Sequence, residues 1–232
     1  MVVEFIAPPC GKKITTLFED EYLLVINKPS GLLSLSGKNP LNKDSVHYRL
    51  VQEYPTVTMV HRLDFGTSGV MVLALNKLVN AHLTKQFQTR SIVKTYTATL
   101  FGHVNETKGV IDAPIAKSDF PYQKICYKTG KDARSHYRVL EKMIDSDTGL
   151  KTTQVEFKPV TGRTHQLRVH SLEIGHPILG CDLYGFSADS LSGIPNTTLL
   201  ADRLCLHASS LEFVHPVLKK AMVFEAHDST IF

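Results

Sequence analysis

The chain has 232 residues, a formal net charge of +4, 43% hydrophobic and 21% charged residues, and four cysteines. That balance describes a folded protein with a sizeable core and excludes a disordered chain; no apolar run approaches the roughly 18 residues of a membrane span, and the start, MVVEFIAPPCGKK, lacks the basic n-region of a signal peptide. The small positive charge leans toward a polyanionic partner, and Cys10, Cys126, Cys181 and Cys205, scattered without a C-x-x-C pair, read as reduced cytosolic thiols and not as a disulfide framework or zinc knuckle.

Residues 21–27, EYLLVIN, read as a strand broken by Lys28-Pro29-Ser30-Gly31. Residues 44–54 predict a short helix, with Val46, Leu50 and Tyr54 at spacing four and Pro55 ending it. HRLDFGTSGVMVLAL at 61–75 is a loop followed by a continuous apolar run, which predicts a buried strand with Asp64 at its mouth. Asn76 caps a second predicted helix that carries Val79, Leu83 and Phe87 on one face. Residues 91–101, rich in Thr, Val and Tyr, read as a strand on which Lys94, Tyr96 and Ala98 share a face. Strands follow near 134–142 and 152–159, with the hairpin signal Asp147-Thr148-Gly149 between them. The turn Thr161-Gly162-Arg163 leads into a helix over 164–174, residues 186–200 read as a loop, and strands near 204–213 and 221–226 end the series. Runs of strands with few helices, without internal repeat or linker, predict a single α+β domain.

Three of these stretches carry candidate chemistry. A strand-mouth aspartate such as Asp64 is either a turn former bonded to Thr67 or Ser68, or an acid. A cation fixed beside it would keep it ionised even in a dry cleft, and Arg62 lies two residues away. In VTGRTHQLRVHSLEIGHPILG at 160–180, Gly162 allows a tight turn that sets Arg163 at the head of the helix. His165, His170 and His176 invite a metal reading, but a spacing of five takes the first two off a common helical face, so they read as packing and hydrogen-bonding groups and no metal is expected. Tyr96 taken alone is a core or cross-strand packing residue. Lys28, Arg62, Lys94, Lys124, Lys128, Lys131, Arg134, Arg163 and Arg168, interleaved with Tyr22, Tyr122 and Tyr127, have the composition of a phosphate-contacting surface if they cluster.

Together, NKPSGLLS at 27–34, HRLDFGTSGVMVLAL at 61–75, KTYTA at 94–98, and TGRTHQLRVH with GHPILGCD at 161–182 resemble the RluA-type pseudouridine synthases in order and spacing, over roughly residues 17–226. QKICYKTGKDARSHYRVL at 123–140 is similar to the branch of that family that acts on both 23S rRNA and tRNA. The resemblance implies the pseudouridine synthase fold, a mixed, mainly antiparallel sheet with flanking helices and a central active-site cleft, in one catalytic domain over 1–232. About 16 residues precede the resembling stretch, so no S4 RNA-binding domain is expected. It implies a cytoplasmic isomerase, without cofactor, metal, membrane or obligate protein partner and monomeric, that converts uridine to pseudouridine in the tRNA anticodon stem-loop and a 23S rRNA hairpin.

By the same resemblance Asp64 is the catalytic residue, Tyr96 lies against the target base, and Arg163 pairs with Asp64 to hold it ionised and oriented. Arg62 enters the RNA where the flipped uridine left its stack, Leu167 walls the pocket, and His61, Lys94 and Arg168 join the RNA-binding set. Phe65-Gly66 fills the variable pair of the H-R-L-D motif, and residues 181–200 are longer and more polar than the resemblance leads one to expect. An RNA binder that has lost activity and a metal-dependent hydrolase using the histidines are the competing classes; the intact set of Asp64, Tyr96 and Arg163 argues against the first.

Overall fold

A computed structural model describes residues 5–186 and 196–228. In chain order it contains β1 (Thr15–Glu19), β2 (Leu23–Lys28), α1 (Val46–Leu50), β3 (Thr58–Met59), β4 (Ser68–Ala74), α2 (Lys77–Gln88), β5 (Val93–Phe101), β6 (Lys108–Asp112), β7 (Ile115–Lys117), β8 (Gln123–Ile125), β9 (Arg134–Ile144), β10 (Lys151–Pro159), α3 (Gln166–Glu173), β11 (Leu206–Val214) and β12 (Ala221–Glu225). The chain divides into two compact units, Met1–Val93 with Ala208–Asp228, and Lys94–His207. Named strand pairings are antiparallel and helices are few, so the class is α+β. No helix among the described residues is long and apolar enough to cross a membrane.

In the first unit β4 is the central strand, and all seven of its residues are buried. β2 pairs along it, with Val25 opposite Val72 and Leu24 opposite Leu73; β11 lies on its other side and β12 beyond. Side chains alternate across a strand. One face therefore carries Leu23, Val25, Val70 and Val72, packed with Val79 and Leu83 of α2 and Leu211 and Phe213 of β11. The opposite face carries Leu24, Ile26, Met71 and Leu73, each fully buried. Burial of both faces is why the run after Asp64 is apolar without alternation. Gly69 has φ +119, and a Cβ there would fall 2.3 Å from the Ala208 carbonyl oxygen, so only glycine lets the β11 backbone approach β4 so closely.

The second helix is capped as the sequence predicts: the Asn76 side chain accepts from the Val79 amide at 3.0 Å. The first is shorter than its spacing-four series suggests. Ser45 caps it through the Tyr48 amide at 3.0 Å, it ends at Leu50, and Tyr54 gives its hydroxyl to Glu19 of β1 at 2.8 Å.

In the second unit β5, β10, β9 and β6 lie side by side in that order. The β9–β10 hairpin turns where Asp147-Thr148-Gly149 predicts. Gly149 takes φ +68 and the Asp145 carboxylate accepts from the Thr148 amide at 2.8 Å and hydroxyl at 2.6 Å. Those donors, the hydroxyl first, hold the Asp145 carboxyl below its usual range. The core joins Ala98, Leu100, Val155 and Phe157 of the sheet to Leu167 and Val169 of α3. Short strands that the sequence hides, β6 and the β7–β8 pair, sit in this unit; three to five residues with few buried side chains leave no readable period. Of the 186–200 segment, Thr197–Leu200 form a single 3-10 turn and 187–195 lie outside the described residues.

Candidate active site

Asp64 is half-buried in a turn just before β4, closed by its own carbonyl, which accepts from the Thr67 amide at 3.1 Å. What fixes this turn is the segment 28–34. The Ser34 hydroxyl donates to the Leu63 carbonyl at 2.7 Å and accepts from the Leu63 amide at 3.1 Å. The Gly31 amide donates to the Phe65 carbonyl at 3.0 Å, and the Ser30 hydroxyl to the Gly66 carbonyl at 2.7 Å. Lys28 is fully buried and its ammonium donates to the carbonyls of Pro29, Leu32 and Phe65 at 2.9, 2.7 and 3.3 Å. The residues on both sides of Asp64 are thus anchored in the other motif, which is why NKPSGLLS and HRLDFG occur together. Lys28 leaves the set of basic residues that might meet phosphates: a buried ammonium is tolerated only where oxygen dipoles surround it.

Arg62 is exposed beside this turn. His61 is built into the unit: its ring stacks on Phe87 of α2 at 4.7 Å, and its Nε2 accepts from the Val72 amide of β4 at 3.0 Å. An amide can only donate, so Nε2 carries no proton in this contact.

In the second unit, Lys94 and Tyr96 lie on β5, and the Lys94 ammonium donates to the Thr161 carbonyl at 3.2 Å. That contact ties β5 to the T-G-R turn. Tyr96 stands opposite Phe157, which is fully buried and backs it. Arg163 is held at both main-chain groups by Gln166: its amide donates to the Gln166 side-chain oxygen at 3.0 Å and its carbonyl accepts from the Gln166 amide at 3.1 Å. Its Nε donates to the Asp132 carbonyl at 2.9 Å.

Gln166, buried, belongs to a polar chain in which every proton can be placed. The Arg134 amide donates to the Thr161 hydroxyl at 3.0 Å, and that hydroxyl donates to the Gln166 oxygen at 2.7 Å. The Gln166 amide donates to the Ser135 hydroxyl at 2.9 Å, which donates to His170 Nδ1 at 3.0 Å, and His170 Nε2 donates to the Ala113 carbonyl at 3.0 Å. His170 is therefore neutral, and burial holds its pKa below the usual histidine value, opposed only in part by the Ala113 carbonyl and Asp112. On acidification the unfolded chain takes up this proton first. The stability tied to His170 is complete above the ordinary histidine pKa and is lost as pH falls from there toward the native value. Urea unfolding between pH 7 and 5 is expected to show this loss, and His170→Gln to flatten it. An unchanged pH dependence in the variant would dismiss the assignment.

Leu167 and Arg168 are buried. Arg168 Nε donates to Cys181 Sγ at 3.2 Å, its guanidinium pairs with Asp182, and it lies over the Tyr184 ring at 5.2 Å. These contacts are internal and lend no support to a role for Arg168 in RNA binding; they explain instead why Arg168 and the Cys-Asp of GHPILGCD occur together. Tyr184 was not singled out by the sequence. Its hydroxyl accepts from the Gln123 amide at 2.8 Å and meets His165 Nδ1 at 2.8 Å. His165 takes φ +55 at the head of α3, a left-handed residue that turns the chain into the helix. Ser34 and Gln166 were missed too; their signal was only that each lies inside a motif.

The RNA pseudouridylate synthase family model matches residues 22–173. The dual-specificity RNA pseudouridine synthase RluA of Escherichia coli (strain K12) is 42% identical over 228 residues, 97% of this chain and 98% of that one. That of Yersinia pestis is 44% identical over 211 residues, 90% of this chain and 96% of its own. Among solved structures, human RNA pseudouridylate synthase domain containing 1 superposes with a TM-score of 0.77 at 27% identity, covering 95% of this chain and 86% of that one. With the motifs intact and the matches running nearly end to end, the chain belongs to the RNA pseudouridylate synthase family, in its RluA-type branch, and is an isomerase that makes pseudouridine in RNA.

Proposed function

We propose that this synthase acts on two RNAs, the tRNA anticodon stem-loop and a 23S rRNA hairpin with a related loop, with Asp64 as the reacting group. The observation that carries the role of Asp64 is the double anchoring of its turn, with Ser34 on Leu63 before it and Lys28, Ser30 and Gly31 on Phe65-Gly66 after it. Catalysis needs the reacting atom held within a fraction of an ångström. The isomerisation breaks the N1–C1′ bond of uridine, turns the uracil, and forms C5–C1′; C5 loses a proton and N1 gains one, so no oxidant or reductant enters. A carboxylate suits this as nucleophile or base. Tyr96 is assigned to the face of the base and to removal of the C5 proton, and Arg163 to keeping the carboxylate charged. A stacked uridine hides C1′ and C5 from a protein side chain, so the base must flip out, and a compact stem-loop offers the unpaired bases that sequence-specific RNA recognition favours. Turnover of a short anticodon stem-loop transcript and of a 23S fragment tests the substrate pair; no turnover of either would remove it.

Arg62, exposed beside the Asp64 turn, is assigned to the space the flipped uridine leaves. Arg62→Ala is expected to weaken binding by more than the loss of one phosphate contact, and to reduce turnover at limiting RNA. Binding isotherms across a salt series check this, because a phosphate contact alone changes the salt slope by only about one. Binding and turnover like the unmodified protein would withdraw the role.

A further inference from the structure

Ahead of β1, residues 5–12 run without strand or helix, and none of them is buried. A segment that buries so little has no core to hold it and tends to drift. Two side chains from residues 42–49 hold it instead. Asn42 is buried, and it meets the segment with both side-chain atoms: the Ala7 amide donates to its Oδ1 and its Nδ2 donates to the Phe5 carbonyl, each at 2.7 Å. The Arg49 guanidinium is set by Asp44, which accepts from Nε and Nη2 at 2.6 Å, and it donates onward to the Lys12 carbonyl at 2.7 Å and the Cys10 carbonyl at 2.5 Å.

The pinned segment bears on the Asp64 turn through one ring. Phe5 meets Phe65 edge to face, with centroids 5.4 Å apart and planes at 73°. Phe65 directly follows Asp64, and its carbonyl already takes the Gly31 amide and the Lys28 ammonium. Those bonds hold the main chain of Phe65, and Phe5 holds its ring. A half-buried ring stripped of its cover gains by turning toward other apolar surface, and here it would turn on the residue next to the acid. Phe5 itself stays 48% exposed, so leaving water explains its place only in part; Asn42 sets it.

We infer that residues 5–12 are a positioning strap for the Asp64 turn: Asn42 and Arg49 pin the strap, and Phe5 presses on Phe65 so that the carboxylate keeps its reacting place. The inference rests on the reading of Asp64 as the reacting group and adds the residues that steady it from outside the two motifs. Phe5 acts through Phe65 and is a positioning residue. A reacting group displaced by about 1 Å can lose roughly a hundredfold in rate, whereas one aromatic pair shifts an equilibrium by roughly two- to tenfold. The second figure sets the size of the effect.

Two variants of the full chain test the strap from different sides. Phe5→Ala removes the ring. Asn42→Ala unties the segment while leaving the main-chain bonds of residue 42 to Gly37 and Asn39 in place. Each is expected to lower kcat on an anticodon stem-loop transcript roughly two- to tenfold, with the affinity for that RNA unchanged, and Phe5→Tyr to restore kcat. In a Phe65→Ala background, Phe5→Ala should have no further effect. Hydrogen exchange read by NMR needs no turnover: the Thr67 and Gly31 amides, which close and brace the turn, should exchange faster in both variants, and the Asn80 amide of α2 should not. Unchanged kcat or unchanged exchange in both variants overturns the strap. So does a loss confined to RNA affinity, which would make residues 5–12 a binding surface. Failure of the Asp64 reading looks different: Asp64→Asn would stay active, while exchange at Thr67 and Gly31 would still decide whether the strap holds the turn.

Discussion

Folded, purified Asp64→Asn is expected to have no detectable turnover on an anticodon stem-loop while binding that RNA within a few fold of the unmodified protein. Asparagine keeps the shape of the side chain but is neither a nucleophile nor a base. The turn is closed by the Asp64 main-chain carbonyl and braced by Ser34, Lys28, Ser30 and Gly31, supports that the substitution leaves in place. Affinity survives because a carboxylate near phosphates contributes repulsion. Asp64→Glu should also fail, since a reacting group displaced by about 1 Å can lose roughly a hundredfold in rate. Turnover and melting temperature are measured on the same sample. Activity near the unmodified level in Asp64→Asn would end the catalytic assignment; a lowered melting temperature with specific activity retained would make Asp64 a turn former.

Arg163→Ala is expected to lower kcat by about 10²–10³, the usual cost of removing one preorganised electrostatic group, and Arg163→Lys to recover part of that loss. The backbone at this position is pinned by Gln166 through both its amide and its carbonyl, whatever side chain it carries. The substitutions therefore report on the side chain alone. Lysine restores the positive charge but loses the planar fork and the Nε donor that reaches the Asp132 carbonyl. If charge is what matters, the lysine variant lies between alanine and arginine. Equal rates for alanine and lysine would leave Arg163 with a hydrogen-bonding or packing role only.

Much of the fold was legible where local chemistry decides it. The apolar run at 70–75 announced β4, Asn76 announced the start of α2, and Asp147-Thr148-Gly149 announced the β9–β10 turn. Where long-range contacts decide, the sequence was mute. β6, β7 and β8 are too short and too exposed to carry a period. The candidate residues were legible through the resemblance and not through periodicity, which left Asp64 a choice between turn former and acid. What surrounds them was hidden for a further reason. Lys28 has the composition of a surface residue, and it is fully buried with the carbonyls of Pro29, Leu32 and Phe65 converging on its ammonium. Arg168 likewise reads as a phosphate contact until Asp182, Cys181 and Tyr184 are found around it.

The bracing of the Asp64 turn by residues 28–34 also bears on how such an acid is inherited or transplanted. H-R-L-D is not a portable cassette. Set at the mouth of another protein's strand, it would arrive without the hydroxyl that grips Leu63 or the ammonium that grips Phe65. The smallest heritable module is two distant segments and the β2–β4 ladder that keeps them in step, Asn27 opposite Val70 and Lys28 opposite Gly69. Recombination that parts those segments, or a one-residue slip of the ladder, would strip the acid of its supports while leaving its four letters unchanged.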